Sequence, residues 1–141
     1  VGRLRSIVEL GSSVAIAEAF VLYASHEPER VYDLANALAT VSGVLFGFLL
    51  TAVAMLASLP ERRLIENMRR TGHYRVLMQG AFFACALHFM TLVSALLALF
   101  SEGMLSLVLL TVAIAVEVYA VLRTAQAGNR FRILFHALEG A

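Results

Sequence analysis

The sequence predicts an all-α fold, a polytopic transmembrane four-helix bundle closed by a short cytoplasmic amphipathic C-terminal helix. Three observations carry that expectation. Residues 34–59 form a run of 26 without a single charge, longer than the ~18 apolar residues that read as a membrane-crossing helix. Charged residues make up only 15% of the chain, against about 25% in soluble domains, which leaves too little polar surface for a separate soluble domain. The basic residues, all eleven of them arginine, gather in alternate loops, the pattern that fixes topology in a bilayer.

Segment 1, residues 7–25, is the least apolar of four. Arg3 and Arg5 precede it as they would a signal peptide, but Glu9 and Glu18 interrupt what should be an unbroken apolar region. Segment 2 is the 34–59 run, stopped by Pro60-Glu61-Arg62-Arg63. Segment 3, residues 76–100, carries His88 at its midpoint, and segment 4, residues 103–122, contains Glu117. The Ser101-Glu102-Gly103 link between them demands a tight antiparallel hairpin.

With four spans, the N-terminus, the 60–75 loop and the C-terminal tail share one side of the membrane. That side holds ten arginines, and Arg30 alone lies opposite. A segment 1 lying on the surface would move Arg3 and Arg5 across and weaken the bias, so four spans with both termini cytoplasmic are expected. Tyr23 and Tyr32 then fall at the outer ends of segments 1 and 2, and Tyr74 and Tyr119 near the inner ends of segments 3 and 4. The tail over 129–138 places Phe131, Leu134, Phe135 and Leu138 on one helical face among Arg130, Arg132 and His136. Such a basic amphipathic helix suits anionic headgroups or a partner groove, or caps the bundle from below.

Two constellations stand out. Ala35, Ala39, Gly43, Gly47 and Thr51 recur every four residues in segment 2. Small residues in register let helices approach closely in lipid, where apolar burial no longer drives association. The row serves either a second helix of the same chain or a subunit interface. The other constellation is Glu18, His88 and Glu117, ionisable residues at membrane depth. Each would cost at least ~2.5 kcal/mol as a charge facing lipid, so each should face protein or water. By position His88 is near the midplane, Glu18 ~3 Å outward and Glu117 about 7 Å toward the cytoplasm. The three line a polar path for protons or ions, or act as hydrogen-bonded glue between helices. Histidine is the residue type suited to carry a proton near neutral pH.

Other chemistry finds no support. No His/Cys/Asp/Glu grouping has metal-ligand spacing, and there is neither a phosphate-binding glycine loop nor a nucleophile elbow. No enzyme activity, metal or cofactor is expected. The single Cys85 excludes an intramolecular disulfide. The inner-loop arginines Arg62, Arg63, Arg69 and Arg70, with Arg130 and Arg132, are the candidates for contact with anionic lipid or a cytoplasmic protein partner, although topology alone accounts for them. Nucleic acid is not an expected partner.

The run VSGVLFGFLLTAVAMLASLPE, followed by an arginine-rich inner loop and the long span with His88, resembles a type of small bacterial four-span membrane protein, some of which look like membrane partners in phage-defence operons. The resemblance implies a bacterial inner-membrane location, an operon partner and an oligomeric role. It transfers no site residue. Two functions are therefore expected as alternatives: a homo-oligomeric pore or membrane effector gated by a cytoplasmic partner, or a non-conducting anchor or sensor that recruits a soluble partner through its arginines.

Overall fold

The computed structural model describes the backbone of residues 2–24, 28–58, 70 and 72–139, and within these the side chains of residues 8–22, 29–55, 57–58, 70, 72 and 74–129. Among the described residues four helices follow one another: α1 Gly2–Ala24, α2 Pro28–Ala57, α3 His73–Phe100 and α4 Gly103–Glu139. Pro28 opens α2, where its missing N–H costs nothing and its fixed φ suits the helix. Gly72 precedes α3 with φ 76° and Gly103 begins α4 with φ 62°, left-handed conformations that favour glycine. With only Ser101 and Glu102 between them, α3 and α4 form the tight hairpin that the sequence requires.

Three of these helices, over Glu29–Met55, Tyr74–Phe100 and Gly103–Asn129, are long and apolar enough to cross a membrane. Each stretch of 27 residues extends to about 40 Å, more than a hydrocarbon core of ~30 Å. They fit an integral membrane protein. The distribution of side-chain size says the same. Alanines line the interior, at Ala17, Ala35, Ala84, Ala95, Ala98, Ala113 and Ala120, while Phe48, Phe82, Phe83, Phe89 and Phe100 are at least half exposed. Water would reverse that arrangement; lipid rewards it, because small residues let backbones approach and large ones meet acyl chains.

The tail corrects one expectation. The segment over 129–138 is no separate amphipathic helix, because α4 runs unbroken through Gly128 and Asn129 to Glu139. An internal glycine costs a helix only about 1 kcal/mol, too little to stop one already propagating. The side chains of Arg130 and Arg132 lie outside the described residues, as do Arg62, Arg63 and Arg69 altogether; Arg70 is exposed.

The helices alternate in direction. α3 packs extensively against both α2 and α4, and α1 packs chiefly on α4; α1 barely touches α2 and does not reach α3. The buried positions explain why. In α3 they are Ala84, Cys85, His88, Thr91, Ala95 and Ala98, and in α4 Ser106, Leu110, Ala113, Ile114, Glu117 and Ala120. Apart from Cys85 and Ile114, which widen the buried face beside Ala84 and Ala113, steps of four and three residues alternate in both helices, the seam of a coiled coil. Two apolar clusters fill the half of the bundle nearer the α3–α4 hairpin. One joins Leu110 and Ile114 to Ala17, Ala35 and Ala98, the other Ala113 to Ala39 and Ala95. In the other half the rings of Phe46 and Phe89 meet at 5.6 Å.

Candidate functional site

Ser42, Leu87 and Val116 are the middle residues of the three spans in α2, α3 and α4. At that level, inside the seam, lies a four-residue polar cluster. Glu117 is 6% exposed and His88 and Ser42 are 0% exposed. The Ser42 hydroxyl donates to Glu117 Oε2 at 3.0 Å, and His88 Nδ1 lies 3.0 Å from the same oxygen. His88 Nε2 is 3.3 Å from Thr124 Oγ1. With Glu117 a carboxylate, Oε2 accepts from both Ser42 and Nδ1–H, and Nε2 is left to accept from the Thr124 hydroxyl. The imidazole thus bridges two α4 residues seven positions apart, above the buried Ala120 between them.

Glu117 Oε1 is buried with no hydrogen-bond partner among the described residues. An orphaned carboxylate oxygen in a low-dielectric interior is costly. It is the feature of this cluster that simple interhelical glue does not explain, since glue would satisfy both oxygens. A proton or a water molecule on Oε1 would satisfy it.

The sequence-derived set is only partly assembled here. His88 and Glu117 meet directly, without an intervening water. The α3–α4 hairpin sets them level, since His88 lies 13 residues before Ser101 and Glu117 lies 14 after Gly103. Glu18 does not join them. It is exposed on α1, a helix that makes no contact with α3.

The chain matches no protein-family model, no curated protein and no solved structure. The chemistry of the site therefore rests on its own geometry.

Ser42 and Thr124 are members that sequence reasoning passed over. Thr124 follows Glu117 by two helical turns, and Ser42 follows Ala35 by two, so the seven-residue register connects each to a residue already singled out. Thr124 was hidden behind Arg123, which reads as the end of a span. In the structure the Arg123 Nε donates to the Tyr119 hydroxyl at 2.9 Å, and its guanidinium carbon lies 4.9 Å from the Tyr119 ring centroid. That stacking against a neighbour one turn back lets an arginine sit within the span. Tyr119 thus engages Arg123, one turn further along α4. Near the same end, Gln126 Nε2 of α4 donates to Glu9 Oε1 of α1 at 2.8 Å.

The small-residue row in α2 is not one face. Each step of four residues turns ~40° around a helix, so Thr51 is rotated by about 160° from Ala35. Ala35 and Ala39 are buried inside the protomer, Gly43 is intermediate, and Gly47 and Thr51 are exposed. A Cβ at Gly43 would meet Leu92 Cδ1 of α3 at an ordinary 3.8 Å, and one at Gly47 would meet nothing within 4 Å. The first part of the row serves intramolecular packing, and the rest is open to lipid or to a second chain. The described residues contain no group of three or more His, Cys, Asp or Glu suited to a metal.

Proposed function

We propose that this protein is a small homo-oligomeric membrane protein of a bacterial inner membrane, and that it passes or gates protons or other small ions through the His88–Glu117 core. The observation that carries the reading is the buried pair at the middle of the spans with the orphaned Glu117 Oε1. One proton added to the carboxylate and neutral imidazole brings the pair to no net charge, a state a membrane interior tolerates, and the pair can pass that proton on. The arginine count supports cytoplasmic termini with α1 as a fourth span. The loop over 60–75 is then cytoplasmic and offers a protein partner the means to open or close the path. The resemblance in layout to membrane partners of phage-defence operons supports such an effector role.

The direct test is proton flux into liposomes holding the purified protein. Wild-type protein should carry flux, and His88→Ala should reduce it at least about tenfold, the scale on which a positioned proton-transfer group acts. Equal flux from both would end the permeation reading.

Assembly has its own test. Because nothing inside the protomer opposes a side chain at position 47, Gly47→Ile should leave the helical content and thermal unfolding of the protomer unchanged while shifting the oligomer to smaller species in size-exclusion chromatography with light scattering. An unchanged mass would exclude Gly47 from any subunit interface.

A further inference from the structure

Resting on the proton-permeation reading above, we propose that protons and water reach the Glu117–His88 pair only from the Asn129 end of the bundle. An apolar plug centred on Leu110 separates the pair from the opposite face.

The α4 seam shows both halves of the argument. From Glu117 toward Asn129 it continues through Ala120 to Thr124, whose half-buried hydroxyl touches His88 Nε2. Thr124 is only about 8 Å along the axis from Asn129. The half-buried Glu9–Gln126 hydrogen bond lies at the same end. From Glu117 toward the hairpin the seam presents Ala113 and then Leu110, both 0% exposed and each at the centre of an apolar cluster. The next polar seam residue on α4 is Ser106, about 16 Å away, and its hydroxyl donates to Ala98 O at 2.9 Å. The buried Thr91 of α3 also lies on this side, but its hydroxyl donates to Leu87 O within its own helix. Beyond the plug a cleft of about 420 Å³ opens at the hairpin end, lined by Tyr32, Ser101, Glu102 and Ser106 among others. Two layers of apolar side chains thus separate the polar cluster from that cleft.

Among the described residues, the titratable groups on the elements packed around the pair are these. α2 has none between Asp33 and Ala57. α3 brings Cys85 one turn from His88 and, at the Asn129 end, Tyr74 and Arg75. α4 brings Tyr119 and Arg123, which engage each other. Among the described residues, α1 brings Glu9, which accepts from Gln126, and the exposed Glu18.

The proton step balances within the cluster. A proton arriving by way of Thr124 forms an N–H bond at Nε2. The Nδ1–H bond then breaks, and its proton forms an O–H bond on Glu117. The imidazole ends neutral with its tautomer reversed, and the carboxyl holds the added proton. With Leu110 dry, that proton leaves the way it came, so the pair reads the acidity of the Asn129 side. Wetting of the plug completes the path.

The test uses single cysteines in the full chain carrying Cys85→Ala, reconstituted in sealed vesicles of known orientation and exposed to a membrane-impermeant thiosulfonate on either side. Thr124→Cys should react only from the Asn129 side, Ser106→Cys only from the hairpin side, and Ala113→Cys from neither. Thr124→Cys and Ser106→Cys are near-isosteric and Ala113→Cys adds one sulfur atom; chromatography in detergent checks that each variant keeps the wild-type fold. Reaction at Ala113→Cys, or at Thr124→Cys from both sides, overturns the proposal. A separate arm addresses permeation: Leu110→Asn, with Leu110→Ala as a milder variant, should raise proton flux by about tenfold. If labelling is one-sided while neither Leu110 variant conducts more than wild type, one-sided entry stands and the permeation reading falls.

Discussion

His88→Leu alone is expected to destabilise the bundle by about 3 kcal/mol, and the double replacement His88→Leu with Glu117→Leu to lie closer to wild type than either single change. The pair is buried on both sides, with side chains 0% and 8% exposed. Removing one member of such a pair leaves the other uncompensated, a loss of ~3–5 kcal/mol, whereas exchanging both for apolar residues of similar volume is often neutral. An interhelical hydrogen bond in a membrane protein contributes far less, averaging ~0.6 kcal/mol in double-mutant cycles. The two descriptions of the contact therefore predict couplings several-fold apart. Glu117 already lacks a partner for Oε1, and without His88 only Ser42 remains bonded to it. Reversible unfolding of the four species in mixed micelles of increasing denaturing detergent measures the cycle. Single losses below ~0.6 kcal/mol that simply add would show that the contact is an ordinary hydrogen bond and would remove the shared-proton argument.

That cluster also shows where a membrane sequence is readable. The spans declared themselves through the uncharged runs, and the α3–α4 hairpin through its short link. Which face of each helix is buried did not, because apolar residues surround every span and a hydrophobic stripe has no contrast with lipid. The legible signal was residue size and polarity in seven-residue register. Ala84, His88, Thr91, Ala95 and Ala98 mark α3, and Ser106, Leu110, Ala113, Glu117, Ala120 and Thr124 mark α4. A row taken every four residues in α2 missed that register and drifted from the core at Ala35 to the exposed Thr51. Ser42, which keeps the register, lay unnoticed beside Gly43. Arg123 reads in the sequence as the end of a span, yet the candidate span runs on to Asn129, and Arg123 contacts Tyr119 within it. Glu18 stands beside Ala17 of the Leu110 cluster, away from His88 in level as well as in azimuth, and position in a span fixes neither.

The same register yields the other large effect. Ala120→Leu should cost more than 3 kcal/mol, above the ~1–3 kcal/mol typical of an overpacked interior. Ala120 is 0% exposed and stands on the α4 face between Glu117 and Thr124, the two residues that the imidazole joins. A leucine there occupies the space that the ring crosses. Either the helices part, or the ring leaves its seat and strands Glu117 as His88→Leu does, so the strain and the broken pair compound. That reasoning makes the effect strongly non-additive. In a His88→Ala background the room left by the imidazole takes up the added carbons, and Ala120→Leu should there be close to neutral by the same detergent unfolding. A full penalty in both backgrounds would mean that the ring and Ala120 do not share this space. The seam must then be small at 113 and 120 for a physical reason beyond close helix packing. Alanine at 113 keeps α2, α3 and α4 tight enough to exclude water above Glu117, and alanine at 120 leaves the imidazole room to lie along the axis. A larger residue at either place would trade the proton-bearing pair for ordinary core.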